Sequence, residues 1–286
     1  RDLGELFPAR LKRYGKAKKR SSRMATFMEE VEPKRAFKIG RCASWLLFHH
    51  YFEVNEYRLI KAYFCKQHLL CAPCALRRSA RLLSDFLPKY NQVITENPAL
   101  KTSLVTLTVK NGPDLEERFN HLQSAVKTLN SRRRQKKIGR NIDSEWSKVL
   151  GAVGSYEFTY NQDTQEWHPH VHIVTVSESD LSEYRLKGEW YQITGDSHQC
   201  DVSPVRNPDN PAKDFQEIFK YNLKFAELSD YLNYVAFHTL RGRRLLFSVG
   251  LLRGVKVPDQ LVDDPIKDQL YIELMYRYFE DYWYKN

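Results

Sequence analysis

Alternation of apolar and polar positions predicts two strands that form a hairpin in the middle of the chain. In residues 151–160, Tyr156 and Phe158 alternate with polar neighbours, in residues 170–176 Val171 and Ile173 alternate with histidines, and the turn Asn161–Thr164 lies between the two segments. A period of two is typical of a strand with one buried face. Further strands are predicted at Thr102–Lys110, Cys200–Val205 and Leu245–Val249.

Helical spacing of apolar residues predicts helices between these strands. Asp114 is a suitable N-cap for a helix in which Phe119, Leu122, Val126 and Leu129 recur every three or four residues. Other helices are predicted ahead of Asn97, at Phe215–Phe225 and at Leu232–Leu240. Antiparallel strands with intervening helices favour an α+β sandwich over a parallel, doubly wound sheet.

The distribution of positive charge along the chain indicates a polyanionic binding partner. The 286 residues carry a formal net charge of +10, which favours binding to a polyanion such as nucleic acid. Residues 1–36 are predicted to form a basic arm. A second basic run contains no acidic residue and is predicted to contact DNA phosphates. Its members are Arg132, Arg133, Arg134, Lys136, Lys137 and Arg140.

The C-terminal segment, residues 257–286, differs from the rest because it is acidic and aromatic. We predict a packing helix here, with a protein contact (self-association or recruitment of a host helicase) as the alternative. No apolar run approaches the ~18 residues of a membrane span. No secretory signal is recognisable, so a cytoplasmic protein without membrane contact is expected.

Three histidines and one glutamate are the sharpest chemical feature. His170 and His172 lie two apart on a predicted strand and therefore face the same side. Glu157 lies across the predicted hairpin. Two imidazoles and one carboxylate would leave coordination positions open for a substrate, as in catalytic metal sites. His168 is a metal ligand, a partner of a ligand or a substrate contact, and Pro169 makes the strand irregular beside it.

The predicted helix after Pro211 places Glu217, Tyr221 and Lys224 on one face. A tyrosine hydroxyl of pKa ~10 is a weak nucleophile unless a cation or base activates it. Lys224 or a metal could do so, and Glu217 could activate a water molecule. An ordinary amphipathic helix remains the alternative for this segment.

Four of the five cysteines fall within 33 residues, which favours a metal site over a disulfide framework. Cys71 and Cys74 form a close pair, with Cys65 and Cys42 ahead of them. A four-thiolate Zn²⁺ site would stabilise a segment with little core of its own. Buried free thiols are the alternative, and His68 could replace one thiolate. Cys200 stands apart and is expected in the core.

These motifs, in this order, resemble the rolling-circle replication initiators of small bacterial plasmids within the HUH endonuclease superfamily. The resemblance rests on TSLVTLTV, on WHPHVHIV with the preceding Glu157, on EIFKYNLK and on the cysteine cluster. It implies an HUH-type antiparallel sheet flanked by helices, with an N-terminal zinc-binding element at residues 37–95 and a nickase domain at 96–256.

The resemblance also implies a mechanism. Glu157, His170 and His172 would hold Mn²⁺ or Mg²⁺, and Tyr221 would nick one strand of the plasmid origin through a 5′-phosphotyrosine intermediate. Glu217 would activate water when the round ends, and Lys224 would orient Tyr221 or stabilise its phenolate. Single-stranded and duplex origin DNA are the implied partners. The alternatives are a zinc-dependent DNA-binding protein without catalysis and a related transposase or relaxase.

Overall fold

The computed structural model describes residues 7–204, 215, 218–219 and 228–286. Six α-helices and nine β-strands have both ends within this part of the chain. The helices are α1 (Phe7–Met28), α2 (Pro33–Arg41), α3 (Ala72–Glu96), α4 (Leu115–Lys137), α5 (Glu183–Thr194) and α6 (Asp230–Leu240). The strands are β1 (Trp45–Tyr51), β2 (Glu56–Ala62), β3 (Lys101–Thr108), β4 (Val149–Asn161), β5 (Glu166–Ser177), β6 (Cys200–Pro204), β7 (Leu246–Gly250), β8 (Ile272–Phe279) and β9 (Tyr282–Lys285).

A five-stranded antiparallel sheet in the order β6-β3-β5-β4-β7 is the centre of one compact unit, formed by residues 83–228 and 235–256. All five of its strands coincide with predicted strands, and the long hairpin β4–β5 confirms the alternation read from the sequence. The predicted α+β class is therefore correct for the described residues.

One face of this sheet packs against α4. Phe119 of α4 lies 5.6 Å from the ring of Tyr156 and 5.5 Å from that of Phe158, both on β4. Helix α4 starts where predicted, because the carboxylate of Asp114 accepts hydrogen bonds from the amides of Glu116 and Glu117. Most of the predicted DNA-binding run forms the last turns of α4.

The opposite face of the sheet carries the alternate residues of β3, β4 and β5. The hydroxyl of Tyr90, on α3, donates to Oγ1 of Thr102 on this face, at 3.0 Å. Phe215 lies 5.0 Å from the Tyr90 ring and Phe219 lies 5.6 Å from Phe86. Both phenylalanines are buried. Helix α3 and these two aromatic residues therefore belong to the layer that covers this second face.

The other unit is formed by the described parts of residues 1–82, 229–234 and 257–286. Its antiparallel sheet has the order β2-β1-β8-β9. The predicted C-terminal helix is therefore wrong: this segment forms β8 and β9, and β8 pairs with β1 along its length. Aromatic side chains favour strands, and pairing with β1 decides the outcome.

The basic N-terminal segment, predicted as an arm, forms α1 and α2 from Phe7 onward. Helix α1 has a buried stripe that includes Tyr14, Met24 and Met28. Arg10 of this helix and Arg77 of α3 both form ion pairs with Asp263. This buried network connects the N-terminal helix, α3 and the segment that precedes β8, all within one unit.

No described helix is long and apolar enough to cross a membrane.

Candidate active site

The hairpin β4–β5 brings together the three residues predicted to bind a catalytic metal. Glu157 pairs with His170 and Ser155 pairs with His172 in the strand register. Oε1 of Glu157 lies 3.4 Å from Nε2 of His170, and Oε2 lies 3.3 Å from Nε2 of His172. One ligand atom from each residue lies within 4.8 Å of the others. The predicted convergence on one face of the sheet is confirmed.

Neighbouring groups orient both imidazoles. Nδ1 of His172 lies 2.9 Å from the hydroxyl of Thr106 on β3, and Nδ1 of His170 lies 3.4 Å from the backbone carbonyl of His168. When Nδ1 carries the proton, it donates to these oxygens, and the Nε2 lone pair is directed towards Glu157. Such outer contacts fix the tautomer and ring orientation of metal-binding histidines.

The donor set fits a divalent cation. Glu157 and His170 are buried and His172 is half-buried, so the ligand atoms are held rigidly but the site can be approached from the side of His172. Three protein ligands leave positions for water or substrate oxygens. Two imidazole nitrogens favour a transition metal such as Mn²⁺ over Mg²⁺, which prefers oxygen ligands.

His168 lies on the same face but is not one of the three converging ligands. Its ring centroid is 5.3 Å from that of His170, and its Nδ1 lies 2.7 Å from Oδ1 of Asn111. Burial and the neighbouring His170 lower the pKa of His168, and Glu157 opposes this shift. The contact with Asn111 holds His168 at the edge of the cluster, and the lowered pKa favours its neutral form.

The predicted catalytic residues Glu217, Tyr221 and Lys224 lie outside the described residues, so their roles stay predictions. The described positions nearest to them are Phe215, Ile218 and Phe219, which are helical and buried. Phe215 and Phe219 contact the rings of Tyr90 and Phe86 on α3.

The four clustered cysteines also come together. Sγ of Cys42 lies 3.4 Å from Sγ of Cys74, which lies 3.6 Å from Sγ of Cys65. Cys71 completes a group whose sulfur atoms lie within 4.8 Å of one another. Four thiolates around Zn²⁺ at ~2.3 Å would be about 3.8 Å apart, whereas a disulfide requires about 2 Å. The spacing fits a tetrahedral zinc site, and His68 is not part of the group.

The electrostatics of this group point to a cation. Hydrogen bonds from the other cysteines lower the pKa of Cys65, whereas burial raises the pKa of Cys71. Ionisation of Cys65 thus opposes ionisation of Cys71, and a bound metal would remove that conflict. Lys18 of α1 is buried beside the group and donates to the carbonyls of Cys42, at 2.9 Å, and of Gly40. The sequence had not singled out Lys18.

The residues of the predicted DNA-binding run divide into two sets. Arg133 is buried, and its guanidinium donates to the carbonyls of Val149, at 2.8 Å, and Leu150, at 3.3 Å. Arg132 lies 3.6 Å from the carboxylate of Glu189 on α5. These two arginines hold the unit together. The other four are exposed and available to phosphates: Arg134, Lys136, Lys137 and Arg140.

Three contacts were missed in the sequence analysis: those of Thr106 with His172, of Asn111 with His168 and of Arg133 with the carbonyls of β4. The alternation of β3 already placed Thr106 on one face, but only the register with β5 shows that it lies opposite His172. Arg133 carried no signal, since its basic neighbours look identical in the sequence.

A sequence model of the replication protein family, Rep_1, matches residues 56–275. The chain belongs to the replication protein family. This membership confirms the resemblance to the initiators of plasmid rolling-circle replication.

Three curated relatives show the extent of the similarity. "Protein rep" of Lactiplantibacillus plantarum is 26% identical, over 84% of this chain and 80% of its own length. "Protein rep" of Staphylococcus aureus is 27% identical, over 78% and 95%. "Protein rep" of Streptococcus pneumoniae serotype 2 is 29% identical, over 54% and 47%, so this replication protein spans about half of that relative. No solved structure matches.

Proposed function

We propose that this replication protein starts plasmid rolling-circle replication by nicking one strand of the origin, as a metal-dependent HUH endonuclease and strand transferase. The convergence of Glu157, His170 and His172 on one sheet face carries this proposal. A divalent cation held there would polarise the scissile phosphate and offset its developing charge. Origin DNA, single-stranded and duplex, is the proposed partner.

Tyr221 is the proposed nucleophile. Its phenolic oxygen attacks the phosphorus atom and the P–O3′ bond breaks, so the protein is joined to the 5′-phosphate. The leaving 3′ oxygen takes up a proton and becomes the primer hydroxyl. Covalent attack divides one difficult displacement into two easier steps.

The other residues of the same predicted helix complete the reaction. Lys224 stabilises the phenolate of Tyr221 through its positive charge. Glu217 accepts a proton from a water molecule that hydrolyses the last phosphotyrosine link, and this releases the protein. Arg134, Lys136, Lys137 and Arg140 contribute contacts to DNA phosphates. The cysteine group binds structural Zn²⁺.

The test is incubation of the protein with Mn²⁺ and an origin oligonucleotide that is labelled on the 3′ side of the nick. A labelled protein–DNA adduct on a denaturing gel is expected from the parent. Tyr221→Phe should bind the oligonucleotide but form no adduct, and Tyr184→Phe, at an exposed position, is the matched control. Glu157→Gln should lose the Mn²⁺-dependent cleavage.

An adduct in Tyr221→Phe would overturn the assignment of the nucleophile. Tight origin binding by the parent without any cleavage would favour the non-catalytic DNA-binding protein instead. Self-association, a host helicase as partner and a cytoplasmic location stay predictions.

A further inference from the structure

A basic groove lies between α4 and the edge strand β7. Its volume is about 400 Å³, which is within the range of ligand-binding sites. The groove has an apolar floor that includes Tyr156 and Phe247. Its walls include Lys127, Arg133, Arg134, Arg244, Gly250 and Arg253.

The charge of the groove has one sign. Four exposed cations line it (Lys127, Arg134, Arg244 and Arg253), and no carboxylate is among its lining residues in the described chain. The fifth cation, Arg133, is engaged with the carbonyls of β4. A cluster of exposed cations without acidic neighbours has a positive potential that attracts polyanions.

The cations of the groove come from both of its walls, which are α4 and the segment that contains β7. Lys127 and Arg134 lie seven residues apart on α4 and so share a helix face. Arg244 precedes β7 and Arg253 follows it. Gly250 turns the chain between them with φ of +57°, and a Cβ there would lie 1.7 Å from the carbonyl oxygen of Leu150. The position of Arg253 therefore depends on a turn that requires glycine.

The groove faces away from the candidate metal centre. Tyr156 lies next to Glu157 on β4, and successive side chains on a strand point to opposite faces. The ring of Tyr156 contacts Phe119 of α4, whereas Glu157 contacts the two histidines on the other face. A ligand in the groove therefore cannot be the phosphate that reacts at the metal centre.

We propose that the basic groove binds the phosphodiester backbone of duplex DNA, as a second DNA contact behind the catalytic face. Guanidinium groups match phosphate oxygens in two-point geometry, and three of the four exposed cations are arginines. This proposal rests on the proposed function, and it deepens it. The duplex beside the nick site is held at α4 and β7 while the single strand enters the opposite face.

The test compares the parent chain with the double variant Arg244→Gln/Arg253→Gln. Binding to duplex DNA is measured by fluorescence anisotropy between 50 and 200 mM salt, and cleavage is measured on a short single-stranded origin oligonucleotide. Loss of two phosphate contacts should reduce the slope of log K against log salt by about 1.8 and weaken binding ~10-fold or more at 0.1 M salt. Cleavage of the short oligonucleotide should not change.

Lys101→Gln/Lys187→Gln is the control, because it removes the same charge from the same unit outside the groove. If both double variants weakened duplex binding equally, the effect would come from net charge alone, and the groove would not be a specific DNA site. The proposal would also be overturned if Arg244→Gln/Arg253→Gln bound duplex DNA as tightly as the parent. It would likewise be overturned if this variant lost binding only to an acidic peptide used as an alternative polyanion. Absence of cleavage by the parent would refute the proposed function, while a duplex-binding defect confined to the groove variant would still support the groove.

Discussion

The hydroxyl oxygen of Thr106 lies 2.9 Å from Nδ1 of His172, across the pairing of β3 with β5. This contact determines which imidazole nitrogen is left to bind a cation. Thr106 is thus a positioning residue, which acts on the site through the imidazole of His172.

Replacement of Thr106 by valine should weaken divalent-metal binding about 10- to 100-fold, the usual effect of losing an outer-shell partner of a ligand. Isothermal titration with Mn²⁺ measures this. Thr108→Val is the matched control, since the Thr108 hydroxyl has no hydrogen-bond partner among the described residues. Equal losses in both variants would contradict a specific role for Thr106.

Replacement of Cys74 by serine should release zinc and destabilise the unit that contains the cysteine group, because metal binding and folding are coupled in such sites. Metal analysis of the purified protein and its Tm check this. Cys200→Ala is the control: Cys200 is buried on β6, and burial raises its pKa to about 12. An unchanged zinc content in Cys74→Ser would rule out the four-thiolate site.

Replacement of Asp263 by asparagine should lower the free energy of unfolding by about 3–5 kcal/mol at pH 7, because it leaves buried guanidinium charges without their partner. Urea unfolding measures this. The neighbouring Asp264 is exposed and pairs with Arg81 at 3.2 Å, so Asp264→Asn should cost less than about 1 kcal/mol. Similar losses at both positions would contradict the buried network.

The effect of Asp263 should depend on pH. Burial alone would raise the pKa of this carboxyl, but the charges of Arg77 and Arg10 and hydrogen bonds from Arg77 and the Leu59 amide hold it well below its usual range. A carboxyl whose pKa is lower in the folded than in the unfolded chain stabilises the fold at any pH above its unfolded pKa of about 4. This stabilisation is lost as the pH falls towards the folded pKa. The difference in the free energy of unfolding between the parent and Asp263→Asn should therefore become smaller at acidic pH.

Elements that are encoded by the spacing of residues close together in the chain could be predicted from the sequence. The alternation of β4 and β5 and the two-residue spacing of His170 and His172 fix the face on which both imidazoles lie. The apolar repeat and Asp114 likewise defined the start of α4. The predicted metal cluster follows from these local rules plus one hairpin register.

Features that depend on distant partners were not predicted. Helix α1 was read as an arm because its charges dominate, although Tyr14, Met24 and Met28 lie at helical spacing. The C-terminal aromatic residues were assigned to a helix, since nothing local shows that β1 is their partner. The hydrogen bonds of Arg133 to β4 could not be read from a run of identical charges.

The pairing of β8 with β1 joins two segments that lie more than 200 residues apart in the chain. On the ribosome, the cysteine segment emerges more than 200 residues before its sheet can close. Until Ile272–Phe279 emerges, one edge of β1 stays open, and an open edge invites pairing with other chains. A chain that ends before β8 therefore has an incomplete sheet around β1, however intact the β4–β5 hairpin.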